Sequence, residues 1–592
     1  MTNKTSQQDA AQLPLNMRPG EATAARRRVK TSITTLDGLG RRRGAAVFLE
    51  VLRSEGARYI FGNPGTTELF LVDALVDAAD ISYVWALQEA SAVAMADGYA
   101  QASGRPGVLN LHTTGGLGHG LGNLLNASVS GTPLVVTAGQ QDSRHTVTDP
   151  LLFGNLTSIA SPAVKWAKEV GHVDQIPTLV RRAFHDCNAA PSGPVFLSLP
   201  MDVMEQMTAV DIGEVSVIDR APVAGSLDRL ADYLTAVTPG KLAIIAGDEV
   251  SASNAAAETV RLADALAAPV YGSSWPAHIA FPTAHPLWRG NLPIKANEIA
   301  RELKRYDAIF ALGGKSLVTI LYTEGSAVPS GVDLFQLSAD VRWLGRTYPT
   351  KLSMVGDIGV SLTALLSLLA SKIAGRADIY AALRERAAQD REARRAQLIA
   401  TADSELAGPV ITPLVAGREM ARAIGPDIAI VDEAAATMGH LRAFLITSSS
   451  RQYFFSRGGA LGWGMPAAVG FSLGINREPV VSIVGDGAAL YSPQALWTAA
   501  YEKLPVTFVV INNREYNILK RFVKSQPHSS SVRANRFIAM DIVDPAIDFH
   551  ALAASMGVPA RRVDCASDIA PAIEAGIASG AANLVEIPVG AT

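Results

Sequence analysis

Short runs rich in Val and Ile alternate along the chain with stretches of helical spacing. Runs at 58–62, 82–86, 107–111, 134–137 and 195–199 predict strands, and segments between them, such as 89–102 and 176–189, predict helices. The alternation resumes with predicted strands at 242–246, 269–271, 308–311 and 334–337, and again at 428–431, 480–484, 506–511 and 584–587. Strands apolar on both faces and separated by helices belong to parallel sheets covered on both sides. The chain therefore predicts an α/β fold of three doubly wound parallel-sheet domains, at 41–205, 220–375 and 406–592. Residues 1–40 lack apolar periodicity and read as a flexible N-terminal arm. A charged, Pro-containing stretch near 205–225 reads as a linker. Residues 376–405, where Arg384, Glu385, Arg386, Arg391, Glu392, Arg394 and Arg395 intersperse both signs of charge, read as an exposed helical linker.

Composition narrows the class. The 592 residues carry 52 Lys+Arg against 55 Asp+Glu, a net charge of −3, so neither nucleic acid nor an anionic membrane is an expected partner. Charged residues make up 18%, below the roughly 25% of average soluble domains, as suits a large chain that also covers surface by self-association. Cys187 and Cys565 are the only cysteines, which argues against a disulfide framework or a structural zinc site. Residues 106–141 and 458–476 hold no Asp, Glu, Lys or Arg, but glycines break both runs. They read as buried loop-plus-helix rather than membrane spans. The polar N-terminus has no signal-peptide pattern, and a cytoplasmic location is expected.

The most specific chemistry lies in the third block. An apolar strand runs into Gly485-Asp486-Gly487, and after one helix a second strand ends in Asn512-Asn513. Asp486 and Asn513 thus fall at the carboxyl ends of parallel strands, where open α/β sheets bind ligands. Two hard oxygen donors there suit Mg²⁺ shared with phosphate oxygens, and the flanking glycines, Gly485 included, let backbone approach an anion. A bare GDG is otherwise a strand-to-helix turn with an Asp cap. In the first block, Glu89 follows an apolar strand and opens an alanine-rich helix. His112 ends a strand beside Thr113-Thr114-Gly115-Gly116, placed to exchange protons in the same kind of crevice.

The strand–GDG–helix–strand–NN arrangement resembles the diphosphate-binding motif of thiamine diphosphate enzymes. The first block most resembles benzoylformate decarboxylases: Phe61-Gly62-Asn63-Pro64-Gly65-Thr66-Thr67-Glu68-Leu69, Ala86-Leu87-Gln88-Glu89-Ala90, Asp97-Gly98-Tyr99-Ala100-Gln101-Ala102-Ser103 and Asn110-Leu111-His112. The resemblance implies pyrimidine-binding, middle and diphosphate-binding domains, with thiamine diphosphate and Mg²⁺ as cofactors. It implies Asp486, Asn513 and the Glu515 backbone carbonyl as metal ligands, with Gly487 and Ala488 against the diphosphate. Glu89 would hydrogen-bond the aminopyrimidine, Leu461 would brace the bent cofactor, and Thr66 would face the substrate carboxylate. It further implies a homodimer or homotetramer whose active sites are shared between chains, acting on a small 2-keto acid or aldehyde.

Three departures stand out. Thr66 replaces a serine, Ile320 falls where a middle-domain histidine is expected, and branched Ile518 stands for a small residue near the cofactor. The stretch 523–546 reads as a longer loop closing over the site, with His528 as a secondary proton donor. His285 reads as structural. The leading expectation is decarboxylation of a benzoylformate-like 2-keto acid with carboligase side activity. The alternatives are an acetolactate synthase-like carboligase or C–C lyase acting on smaller acyl groups, and a cofactor-binding regulatory protein without turnover.

Overall fold

In the computed structural model, residues 40–447, 452–526 and 528–590 are described, so the arm expected over 1–40 lies almost wholly outside them. Three six-stranded sheets, parallel throughout, form the framework. The first holds strands Tyr59–Gly62, Ser82–Trp85, Gly107–His112, Leu134–Gln140, Ala167–Glu169 and Val195–Pro200. The third holds Ala429–Glu433, Tyr453–Phe455, Val480–Gly485, Val506–Asn512, Ala560–Arg562 and Asn583–Pro588. Counted in chain order, both run 2-1-3-4-6-5 across the sheet. The middle sheet, Leu242–Ala246, Val270–Gly272, Trp288–Asn291, Ala308–Leu312, Asp333–Ser338 and Leu352–Val355, runs 3-2-1-4-5-6. Outer domains of one topology and a middle domain of another therefore lie along one chain.

Each central strand is buried along its length, which is why it reads as an unbroken apolar run. A two-residue antiparallel pairing of Arg42–Arg43 with Met207–Thr208 ties the start of the first domain to its end. The stretch 209–225 has no regular element and is largely exposed, and Ala377–Glu405 is one 29-residue helix. Together with the helix before it, Ile358–Ile373, it forms a continuous helical stretch, Ile358–Glu405, that is long and apolar enough to match a membrane span by composition, but the apolar part of that stretch faces inward. Helix Ile358–Ile373 buries Leu362, Leu365 and Leu369 in the middle-domain core.

The charge-free runs pack the outer domains together. Helix Gly464–Gly474 is buried all round and lies on helix Glu89–Ser103. The approach is close enough that a Cβ at Gly98 would collide with the Ala467 backbone, and one at Gly470 with Met95. Trp463 Nε1 donates to Asp97 Oδ2 (2.8 Å) across this contact, and both side chains are fully buried. Asn126 exchanges hydrogen bonds with the Ala460 backbone, so helix Thr113–Ser130 holds the loop that carries Leu461.

The middle-domain crevice, at the switch point where open sheets take ligands, keeps a cavity of about 300 Å³ lined by Gly247, Asp248, Glu249, Gly313, Asp340 and Arg342. The Glu249 carboxylate accepts from Gly314 N (2.9 Å), Ala339 N (2.9 Å) and Ser338 Oγ (2.8 Å).

Candidate active site

In the third domain, the strands Val480–Gly485 and Val506–Asn512 pair in register, Gly485 opposite Ile511, so the residues that follow them emerge side by side. Asp486 opens a short helix and is 5% exposed. Its Oδ1 accepts from Gly487 N (2.9 Å) and its Oδ2 from Arg514 N (2.7 Å). Burial pushes the Asp486 carboxyl up to about 6, against the lowering effect of these amides. Asn513 Oδ1 accepts from Glu515 N (3.1 Å). The Glu515 carboxylate turns away from the strand ends, paired with Lys520 and accepting from Asn517 Nδ2 (2.6 Å). Its backbone carbonyl, rather than its side chain, is therefore the group left to serve as a ligand.

A cleft at these strand ends is lined by Gly485, Asp486, Gly487, Ala488, Asn513 and Glu515, with Leu461 and Ile518 at its sides. Asn517, also in the lining, has a buried Oδ1 without a hydrogen-bond partner. A desolvated carboxylate, an amide oxygen, a backbone carbonyl and an orphaned amide oxygen form a donor set for a hard divalent cation that brings its own anionic ligand. Among the described residues no cluster of three or more His, Cys, Asp or Glu forms a metal cage. Leu461 is 37% exposed, a large apolar side chain presented to the cleft rather than to a core.

The first domain builds the other set. Helix Glu89–Ser103 begins at Glu89 because Gln88 caps it, its side chain accepting from Ser91 N. Glu89 is buried; its Oε1 accepts from Asn63 Nδ2 (3.2 Å), and its Oε2 lies 3.2 Å from His119 Nδ1. His112, at the end of strand Gly107–His112, points Nδ1 at Glu68 Oε2 (2.8 Å) and Thr67 Oγ1 (3.0 Å). Glu68, 2% exposed, also accepts from Gly65 N (2.9 Å), Thr67 Oγ1 (2.7 Å) and Gly139 N (3.0 Å). The Glu68 hydrogen bond raises the His112 pKa above its ordinary value, outweighing burial, which lowers it. With Nδ1–H assigned to Glu68, Nε2 carries the exchangeable proton. The His112 ring lies so close to Gly65 that any Cβ there would overlap it. Thr66 is exposed on the adjoining turn.

Three non-glycine residues beside these groups hold left-handed backbone: Leu87 (φ 57°), Thr113 (φ 45°) and Arg514 (φ 57°). Such strain costs about 1–3 kcal/mol per residue and persists where surrounding structure over-determines it.

The chain thus brings Thr66, His112 and Glu89 together, and separately Asp486, Asn513, Glu515, Leu461 and Ile518. No first-domain residue is among those lining the third-domain cleft. His528 is exposed at φ 65°, outside that lining, with its carbonyl accepting from Arg533. The stretch around it is no open loop: a short helix, Ser530–Ala534, interrupts it. Tyr516 N→Met540 O (2.8 Å) and Ile542 N→Arg514 O (2.7 Å) then pin it to the metal-site turn. Ile320 is exposed, its N–H donating to Ile294 O, and His285 sits against Phe281 and Asp264.

Sequence reasoning passed over three residues. Glu68 was visible only as part of a motif, and His119 only as one residue of a glycine-rich helix. Glu433 lies at the end of a strand predicted to stop at 431. It accepts from Trp463 N (3.1 Å) and Gly464 N (2.9 Å) in the same cleft, and burial pushes it up to about 7. A carboxylate at the end of an apolar strand was the available signal for Glu433.

Paired sheets of one topology, with an oxygen-donor turn on one and a buried carboxylate beside a strand-end histidine on the other, define an enzyme built around a diphosphate-bearing cofactor. Family models for the thiamine pyrophosphate enzymes match in all three domains: the N-terminal TPP-binding domain at 42–157, the central domain at 227–365 and the C-terminal TPP-binding domain at 435–587. Benzoylformate decarboxylase of Pseudomonas aeruginosa is 31% identical over 549 residues, 91% of this chain and 97% of that protein. Acetolactate synthase 2 of Nicotiana tabacum is 25% identical, over 90% and 80%. The solved structure of a thiamine diphosphate-dependent 4-hydroxybenzoylformate decarboxylase from Rhodococcus jostii superposes with a TM-score of 0.81 at 27% identity, covering 93% of this chain and all of that one. The chain belongs to the thiamine pyrophosphate enzyme family. It is a thiamine diphosphate-dependent decarboxylase or carboligase.

Proposed function

We propose that this enzyme carries out Mg²⁺-dependent, non-oxidative decarboxylation of a benzoylformate-like 2-keto acid to an aldehyde and CO₂, with carboligation as a side activity. The observation that carries the reading is the Glu68–Thr67–His112 relay beside Thr66: a strand-end imidazole held by a buried carboxylate, next to an exposed hydroxyl. The bound cofactor supplies an electron sink for the pair of electrons left when the C–COO⁻ bond breaks. Asp486, Asn513 and the Glu515 carbonyl would hold Mg²⁺ and through it the diphosphate, Leu461 would brace the cofactor and Glu89 would hydrogen-bond its pyrimidine. The Thr66 hydroxyl donates to the substrate carboxylate, and the added methyl, relative to serine, restricts its rotamers. After CO₂ departs, the acyl carbon must gain one proton, and His112 Nε2 holds that proton because Glu68 keeps the ring protonated toward neutral pH.

Glu89 and the Asp486 cleft reside on different domains, and exposed apolar side chains flank both. Leu152, which packs by Thr114 and Gly115, lies near the first, and Leu461, Leu490, Tyr491 and Leu519 near the second. Such patches mark protein interfaces, and they support a homodimer or larger homo-oligomer in which two chains complete each site.

A second reading, carboligation of smaller acyl groups, is favoured by Ile518, whose branched side chain lines the cleft. Purified protein with thiamine diphosphate and Mg²⁺, tested on benzoylformate and pyruvate with product analysis, separates the two. Free aromatic aldehyde and CO₂ are expected. An acetohydroxy acid from pyruvate, with benzoylformate untouched, would overturn the leading reading.

A further inference from the structure

Glu89 has two oxygens and two partners of different kinds. Oε1 accepts from Asn63 Nδ2 (3.2 Å), and Oε2 lies 3.2 Å from His119 Nδ1. The first partner is fixed in its role. Trp85 Nε1, which can only donate, lies 3.1 Å from Asn63 Oδ1, so the Asn63 amide must turn its NH₂ toward Glu89. Trp85 is itself held: its backbone carbonyl accepts from Thr498 Oγ1 (2.9 Å), and its ring meets Trp497 edge-on with centroids 5.2 Å apart. An oxygen that always faces an N–H is the carbonyl oxygen of a neutral carboxyl group. When Glu89 carries its proton, that proton therefore sits on Oε2, the oxygen against His119.

The second partner can exchange roles. An imidazole Nδ1 donates to a carboxylate in one tautomer and accepts from a carboxylic acid in the other, with Nε2 taking the opposite part. His119 stands on helix Thr113–Ser130 and its side chain is 67% exposed, so one edge of the ring meets Glu89 while the rest stays open to solvent. Glycine lets the helix come this close: a Cβ at Gly116 would lie 3.2 Å from Glu89 Cγ, and one at Gly120 would lie 3.0 Å from Val93 Cγ2.

The other titratable groups around Glu89 are committed. The Tyr83 hydroxyl is buried without a hydrogen-bond partner, and burial, then the Glu68 and Glu89 charges, raise its pKa, so it stays neutral. Nδ1 of His112 is held by Glu68. Neither sequence-based candidate for a second proton-handling position serves here, since Ile320 cannot titrate and His528 lies outside the cleft lining. His119 is the second imidazole that the fold brings to the site.

We propose that His119 is the residue through which Glu89 exchanges its proton with solvent, a positioning residue that works through Glu89 and not on the substrate. The inference rests on the reading of Glu89 as the carboxyl that hydrogen-bonds the cofactor's pyrimidine. In that role Glu89 is an acid when it offers its proton and a carboxylate once it has given it. Outward, the Glu89 Oε2 proton passes to His119 Nδ1 while the proton on Nε2 leaves to water. Inward, water protonates Nε2 while the proton on Nδ1 passes to Oε2. One passage each way restores the starting tautomer, so the ring needs no flip and charge balances. A mere contact between an exposed imidazole and a carboxylate contributes little to stability, which separates this role from a structural one.

The test compares the full-length enzyme, loaded with thiamine diphosphate and Mg²⁺, with His119→Ala and His119→Asn. Asparagine keeps a donor for Oε2 but cannot pass a proton. Calorimetric titration of the cofactor into each protein should give affinities within about threefold of one another, since His119 touches Glu89 alone. Deuterium exchange at the acidic ring C–H of the bound cofactor, acid-quenched and read by NMR without substrate, should slow about 100-fold in both variants. Added imidazoles should restore exchange to His119→Ala in the order of their basicity, and leave His119→Asn slow. Parent-like exchange in His119→Asn, no rescue of His119→Ala, or rescue that ignores basicity would each overturn the proposal. A parent that exchanges no faster than free cofactor would instead overturn the reading of Glu89 on which it rests. Because no substrate is present, the result stands whichever keto acid the enzyme uses.

Discussion

Replacing Glu68 by Gln removes the charge opposite His112 while keeping the shape of the side chain. Glu68 takes four hydrogen bonds on two oxygens, from Gly65 N, Gly139 N, Thr67 and His112. A glutamine can accept on one side only, so on the other an amide N–H must face a donor. Leaving a buried donor unpaired costs about 1–3 kcal/mol. The lost charge-assisted bond to His112, discounted because the imidazole keeps some solvent contact, is worth a further 1–2 kcal/mol, roughly. Since 1.36 kcal/mol corresponds to one pH unit, the His112 pKa should fall by about one unit.

The sign follows from linkage. His112 in the folded parent is raised above its unfolded value, so its contribution to stability is complete below about 6.5 and is lost as pH rises through the folded pKa. The variant should therefore lose more stability at pH 6 than at pH 9 by urea denaturation. In steady-state assays, the alkaline limb of kcat/KM should move to lower pH by about one unit, with cofactor affinity retained. An alkaline limb that does not move, or a stability loss equal at both pH values, would refute the assignment of Glu68 as the group that keeps His112 protonated.

Gly65→Ala should displace the His112 ring, which a Cβ there would overlap, and lower kcat by about 100-fold while the cofactor still binds. Leu461→Ala should change the thermal midpoint little, since the side chain is 37% exposed and outside the cores, yet lower kcat at least about tenfold. A proportionate loss of stability and activity would instead make it a core residue. Ile518→Ala should raise the kcat/KM ratio of benzoylformate over pyruvate by roughly tenfold, the scale of removing branched bulk from an apolar pocket.

The central strands were legible because residues covered on both faces must be apolar throughout. Within the three six-stranded sheets, the five strands not anticipated, Ala167–Glu169, Trp288–Asn291, Leu352–Val355, Tyr453–Phe455 and Ala560–Arg562, are all edge strands. All five span only three or four residues, too short and, for Ala167–Glu169 and Ala560–Arg562, too exposed to stand out as apolar runs. Asp486 and Asn513 were legible for a related reason, since each directly follows a central strand at the end where ligands bind.

Glu68 and Glu433 mark the limit of that reading. What Glu68 does depends on His112, 44 residues away, and on Gly139, 71 residues away. His119 is similar. It looks like one position of a glycine-rich helix until the fold sets Glu89, 30 residues away, against it. The sequence by itself determined the sheets, their order of appearance and the oxygen donors at strand ends, because burial and strand polarity act on neighbours in the chain. Only the tertiary structure decided which carboxylate holds which histidine. Those pairings depend on distances between groups that the chain connects only through its folded core.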